Sequence, residues 1–317
     1  MVAIDLGSNT LRVVEYDCIH KRATAEFEKI VKTADRLADT DMIDHVAVER
    51  VICAIREAQV QIDFRGQEVV AVTTEAVRRA KNSDDVLMRL KRETGVHFRV
   101  IDGEEEARLT LLAVRERLRK LHHTPDSFVL VDIGGGSTEI IFHYPDETIS
   151  KSFPLGIVTV AQQYGSLERI REVLPAEMRS MQMFCSELFA TRGVVDAFIA
   201  TAGTPTTVAA MKLGQIYATY DASKINGTSL DREELDHYLS RLLSVSFKER
   251  ERMVGVGRSD LIAAGILIFG QLFVIVEKDT CIVVDDGLRE GVALQKCEEE
   301  KSYTGAKEKR LDKTEYV

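Results

Sequence analysis

Two short stretches of this chain repeat one pattern, and an internal repeat restricts the fold more than any local signal. The first, Ile4-Asp5-Leu6-Gly7-Ser8-Asn9-Thr10, ends one apolar run and opens another, Leu11 to Tyr16. The second, Val131-Asp132-Ile133-Gly134-Gly135-Gly136-Ser137-Thr138-Glu139, lies between Phe128 to Val131 and Ile140 to Tyr144. Each reads as strand, tight turn, strand on the template Asp-apolar-Gly-x-x-Thr, with Ser137-Thr138 matching Thr10 at a slip of one residue. A turn rich in Gly, Ser and Thr presents backbone N–H groups and hydroxyls to one concavity, which suits phosphate oxygens. An aspartate ending the preceding strand can hold Mg²⁺, usually through waters. One such turn alone would be an ordinary β-turn, where Gly, Ser, Asn and Asp are common. Two of them, each opening half of the chain, indicate a duplicated phosphate-binding hairpin.

The length of 317 residues accommodates two domains. Between the hairpins, helical spacing covers Val46–Val60 and Asp84–Glu93, the latter stopping at Gly95, and strands are expected at 68–72 and 97–101. Glu104–Leu121 is an amphipathic helix whose stripe is Ala107, Leu111, Val114, Leu118 and Leu121. The segment 122–127, with Pro125, reads as a linker. This gives a first domain at 1–122, a second at 123–297, and a charged, patternless, mobile tail at 298–317. In the second domain, helices are expected at 166–171, 175–191, 205–213 and 231–243, with strands at 197–201 and 281–284. The apolar run Leu261–Val276 is too short and too interrupted by Gly265, Gly270 and Gln271 to span a bilayer, so it reads as a buried helix running into a strand.

The net charge of −9 argues against binding DNA or RNA through bulk electrostatics and requires any polyanion to find a local basic pocket. Five scattered cysteines, odd in number and without a C-x-x-C pair, argue against a disulfide framework and a structural zinc site and fit a reducing compartment. The opening residues reach Asp5 without a basic segment, which does not read as a signal peptide. A cytoplasmic location with no membrane association is the expectation, with a homodimer left open.

The two hairpin motifs resemble those of the exopolyphosphatase / guanosine pentaphosphate phosphohydrolase family. Five further stretches keep that family's order: Val72 to Asn82, Gly103 to Leu109, Ala202-Gly203-Thr204, Arg258 to Gly265, and Gly287-Leu288-Arg289-Glu290-Gly291. Together they cover the chain to about residue 297. The resemblance implies an α/β fold of two actin-like ATPase (ribonuclease H-like) domains with the active site in the cleft between them. It implies Glu106 as the general base, with Glu105 as the fallback in an acidic run that a helix N-terminus would favour anyway. It implies Mg²⁺ held by Asp132 and Glu139, joined by Asp5. Phosphate is expected on Gly7, Ser8, Asn9, Thr10, Arg78, Gly134, Gly135, Gly136, Ser137 and Thr138, with Arg78 suited to bidentate phosphate binding. The implied substrate is inorganic polyphosphate or guanosine pentaphosphate.

Two departures stand out. The stretch Val31 to Leu37 carries no glycine where many members have a glycine-rich segment. A long C-terminal helical extension is also missing, which weakens an expectation of processive grip. A kinase or ATPase of the same superfold, and an alarmone-binding sensor with little hydrolysis, are the competing readings. The acidic helix start and Arg78 favour the hydrolase over the kinase.

Overall fold

The structure is a computed structural model that describes residues 1–311 apart from Asp260, with side chains through residue 300. The first half contains β1 (Val2–Leu6), β2 (Thr10–Asp17), β3 (Arg22–Ile30), α1 (Leu37–Thr40), α2 (His45–Gln61), β4 (Val69–Thr73), α3 (Glu75–Arg79), α4 (Ser83–Thr94), β5 (Phe98–Val100) and α5 (Gly103–Lys120). The second half opens with β6 (Phe128–Ile133), β7 (Thr138–His143), β8 (Thr148–Phe153), α6 (Ile157–Tyr164), α7 (Leu167–Glu177), α8 (Arg179–Arg192), β9 (Ala197–Thr201) and α9 (Gly203–Lys212). It closes with α10 (Ala222–Ile225), β10 (Ser229–Asp231), α11 (Arg232–Ser244), α12 (Phe247–Val254), α13 (Ile262–Ile275), β11 (Thr280–Val283) and α14 (Leu288–Leu311).

The strands form two sheets, ordered β3-β2-β1-β4-β5 and β10-β11-β9-β6-β7-β8. In each, three antiparallel strands are continued by parallel ones: β1 pairs parallel with β4 as β6 does with β9. Apart from the extra edge strand β10, one topology occurs twice, that of the actin-like ATPase domain. Alternation places Val2, Ile4 and Leu6 on the face covered by α2 and α4, and Ala3 on the other.

That other face is covered by an exchange between the halves. The expected stripe of α5 (Ala107, Leu111, Val114, Leu118) packs on Leu130, Ile141 and Ile199 of the second sheet. A second row on α5, Leu109 and Ala113, meets Val292 and Ala293 of α14, which covers the first sheet. Gly291 permits this crossing, because a Cβ there would lie 2.0 Å from the Leu109 carbonyl oxygen. Arg289 at the start of α14 reaches back to Glu26 on β3 (2.6 Å).

Several expectations need correction. Pro175 lies in the last turn of α7 and does not open α8. The charged stretch from Glu298 continues α14 as helix to Leu311. The residues from 312 on lie outside the described ones. Cys18, just past β2, is joined to Cys297 on α14 by a disulfide, while Cys53, Cys185 and Cys281 are free. Among the described residues no helix is long and apolar enough to cross a membrane.

Candidate active site

The two hairpins have the same register. Asp5 stands directly opposite Arg12, and Asp132 directly opposite Glu139. The Gly7 N–H donates to the Thr10 carbonyl (3.0 Å) as the Gly134 N–H does to that of Ser137 (2.9 Å). Ser137 is therefore the counterpart of Thr10, and the slip of one residue disappears. Thr138 begins the next strand with its side chain on the other face. It is fully buried, donates its hydroxyl to the Leu155 carbonyl (2.7 Å) and does not line the cleft.

The turns come from different sheets and touch each other. A Cβ on Gly136 would lie 2.8 Å from Ser8 Oγ and 3.0 Å from Glu75 Cγ, so a larger residue there would have to displace both side chains. The first turn is braced by the glycine-free segment, since Val31 and Lys32 donate backbone N–H groups to the Asn9 carbonyl and Ala34 donates to that of Ser8, all at 2.9 Å. Lys32 and Arg36 adopt left-handed φ of 47° and 57° there, a conformation glycine would take at lower cost.

A cavity of about 130 Å³ lies over the joined turns. Asp5, Gly7 to Thr10, Glu106, Asp132 and Gly134 to Ser137 line it. The starts of α6, α9, α13 and α14 complete its wall through Ile157, Gly203, Ile262 and Leu288. Several helix N-termini around one cavity give it a positive potential that favours phosphate, although the first N–H groups of α6 are already taken by the Gly134 and Gly135 carbonyls. Ala202, just before α9, holds a φ of 73°, strained for a residue with a Cβ and typical of functional sites.

Two cations in this wall escaped the sequence reading as site residues. Arg12 and Arg258 both pair with Glu28 on β3, Arg12 Nε at 3.0 Å from its Oε2, and Arg258 lies over the Tyr217 ring (5.6 Å). Burial and the charge of Arg12 lower the Arg258 pKa only to about 10, so it stays charged at neutral pH. Arg12 had a signal. It stands seven positions after Asp5 as Glu139 does after Asp132, and the spacing that singles out one singles out the other.

Of the acidic run, Glu105 turns onto Arg99 (2.6 Å), whereas Glu106 reaches the cavity. Burial first, then the charges of Glu139, Asp132 and Asp5, push the Glu106 carboxyl well above its ordinary range, with Arg78 opposing. Arg78 does not line the cavity. It donates to the Ile101 carbonyl (2.7 Å) and pairs with Glu75, which does. Burial, followed by the charge of Asp132, raises Glu139 to about 7, and burial, against Arg12, raises Asp5 to about 6. Asp132 is raised by burial too, opposed by Arg12, and its Oδ2 accepts a long hydrogen bond from Thr110 (3.4 Å). Glu139 is buried behind the cavity wall, its Oε1 accepting from Ser137 (2.8 Å) and Ser152 (2.7 Å).

Among the described residues no three acidic, His or Cys groups stand together as a ready-made metal cage. Asp5 Oδ1 and Glu106 Oε2 are nonetheless buried without hydrogen-bond partners, beside carboxylates that repel one another. Mg²⁺ keeps several waters and takes one or two carboxylates, so this donor set fits a hydrated Mg²⁺ and not an ion enclosed by protein.

Comparison with known proteins agrees with this geometry. The profile of the Ppx/GppA phosphatase family matches residues 13–300. Exopolyphosphatase 1 of Mycobacterium tuberculosis is 28% identical over 310 residues, covering 94% of this chain and 88% of the relative. A crystal structure of the Aquifex aeolicus Ppx/GppA family member superposes with a TM-score of 0.69 at 30% identity, covering 94% of this chain and 97% of that one. The crystal structure of an exopolyphosphatase from Cytophaga hutchinsonii shares the fold with a TM-score of 0.81 at 20% identity, covering 94% and 97% of the two chains.

Proposed function

The chain belongs to the Ppx/GppA phosphatase family, and on that premise we propose that it is a Mg²⁺-dependent hydrolase releasing the terminal phosphate of inorganic polyphosphate, with Glu106 as general base. The observation that carries this reading is the single cavity that gathers both glycine turns, the starts of four helices and Glu106. Polyphosphate follows from the names of the relatives together with this donor-rich, phosphate-sized space.

The turn N–H groups, Ser8, Thr10, Ser137 and the start of α9 bind the terminal phosphoryl oxygens. Arg12 and Arg258 offer charge to the phosphates behind it, once Glu28 gives way to the substrate. Glu106 orients a water on the far side of the terminal phosphorus and takes its proton. Its raised proton affinity makes it a stronger base, and the Arg78 charge opposes that rise. Asp5 and Asp132, which line the cavity, would hold a hydrated Mg²⁺, with Glu139 supporting them from behind the wall, and such an ion would supply charge neutralisation to the phosphoryl oxygens.

Guanosine pentaphosphate presents the same terminal group, and we extend the reading to it. Phosphate release from medium-length polyphosphate, guanosine pentaphosphate and ATP, side by side with Mg²⁺, tests the assignment. Release from either of the first two, well ahead of ATP, is expected. Binding without release would make the protein a sensor, and ATP turned over fastest would make it an ATPase of the superfold.

A further inference from the structure

A second cavity, of about 390 Å³, opens at the other end of the junction between the halves. It is lined where α5 ends, where β6 begins and where β7 finishes, the ends opposite to those carrying the glycine turns. Leu118 and Phe128 are buried in its floor, with Leu294 of α14 beside them. Its rim is basic. Lys21 and Arg119 share one carboxylate, Glu116, at 3.6 and 2.8 Å, which Lys120, outside the cavity, also approaches (3.9 Å). Arg115, the neighbouring residue, has no ion-pair partner among the described residues. Glu298, on the far rim, reaches Lys21 (3.6 Å). A chain of net charge −9 thus keeps a surplus cation over an apolar pocket.

We propose that this cavity binds a small phosphorylated organic molecule of nucleoside-monophosphate size, its phosphate on Arg115 and its ring system against Leu118, Phe128 and Leu294. Guanidinium pairs bidentately with phosphate, and an unpaired one need not first be freed from a protein carboxylate. The volume falls within the range of small-ligand pockets, roughly 300–1,000 Å³, which are mostly apolar with a few placed polar groups. His143, on the same wall, is held below its ordinary pKa by burial and by the Arg115 charge, so an anion there would relieve both groups. The cavity shares no residue with the cleft, so the proposal stands apart from the hydrolase reading. One helix still connects them. Arg115 follows Glu106 by nine residues, about 14 Å along α5.

The test is isothermal titration calorimetry on the full chain with adenosine 5′-monophosphate, and with inorganic phosphate as a second probe. The nucleotide is expected to bind, more tightly than phosphate, and to lose at least about tenfold in affinity in Arg115→Glu, a shift of roughly 1.4 kcal/mol. Arg115 is exposed, so this variant should keep the wild-type circular dichroism spectrum. Hydrogen exchange should slow around 115–128 on binding and stay unchanged at the two glycine turns. No binding of the nucleotide at about 5 mM, weaker than any regulatory affinity of interest, overturns the proposal. Unchanged affinity in Arg115→Glu, protection at the glycine turns, or phosphate binding as tightly as the nucleotide overturns it equally.

Discussion

Glu106 and Glu105 are neighbours in sequence, yet one carboxyl meets the cavity and the other a surface arginine. If Glu106 is the base proposed above, Glu106→Gln keeps the shape and removes it, so turnover should fall on the order of a hundredfold or more with KM little changed. Glu105→Gln should stay near wild type, and steady-state phosphate release separates the two. On the proposed metal assignment, Asp132→Asn should raise the Mg²⁺ concentration giving half-maximal activity, because one charged oxygen ligand would be lost. An unmoved Mg²⁺ titration would remove Asp132 from the ligand set. Asp5 offers a test that needs no substrate. Its pKa rises from 3.8 to about 6 on folding, chiefly by burial. The stability it contributes is fully present below the unfolded value and is lost as pH rises through about 6, on the order of 3 kcal/mol. Without divalent cations, Asp5→Asn should therefore unfold at higher urea than wild type at about pH 8, and the gap should close near pH 4. The hairpin residues were legible because a turn is local. Thr138 was misplaced because the serine and threonine side by side both resemble Thr10, and only the ladder register settles which hydroxyl falls on the cleft face.

At the level of elements, α5 shows where periodicity stops being informative. Its strong stripe is plain in the sequence, but nothing in a stripe says which sheet receives it. The same helix needs Leu109 and Ala113 for α14, a contact formed with residues far along the chain. Two substitutions probe this middle layer. Leu111→Ala removes a buried side chain from the face toward the second sheet and should cost about 2–5 kcal/mol, read from urea unfolding. Gly291→Ala sets two effects against each other. Alanine in a helix interior gains about 1 kcal/mol over glycine. The new Cβ, however, would sit 2.0 Å from the Leu109 carbonyl oxygen, with backbone on both sides and no side chain able to yield. Overpacking of about 1–3 kcal/mol or more should prevail, and Gly291→Ala should be destabilising. A more stable variant would show that α5 and α14 are less closely packed than their geometry requires.

Across the whole molecule, the exchange of α5 and α14 explains why the cysteines could not be paired by inspection. Cys18 follows β2 of the first sheet and Cys297 lies on a helix that follows the second, and they meet only because α14 returns to cover β1 and β2. The bond closes a loop with a sequence separation of 279. A cross-link over so long a loop chiefly restricts the unfolded chain, and a stabilisation of about 2–5 kcal/mol is the usual range. A reductant should therefore lower the urea midpoint of the oxidised protein. Cys297→Ser should unfold at the midpoint of the reduced wild type and be insensitive to reductant. The cleft should be affected much less, because the approach to α14 is anchored independently by Arg289 on Glu26 (2.6 Å) and by Arg117 on Asp286 (2.5 and 3.0 Å). Turnover of the reduced protein should stay within about twofold of the oxidised form, a difference of roughly 0.4 kcal/mol in barrier. A midpoint that ignores reductant would mean that the two thiols stay apart in solution, as the scattered cysteines of the sequence suggest. A large loss of turnover with the midpoint shift would place the hold on the cleft in the far end of α14, and not in the ion pairs at its start.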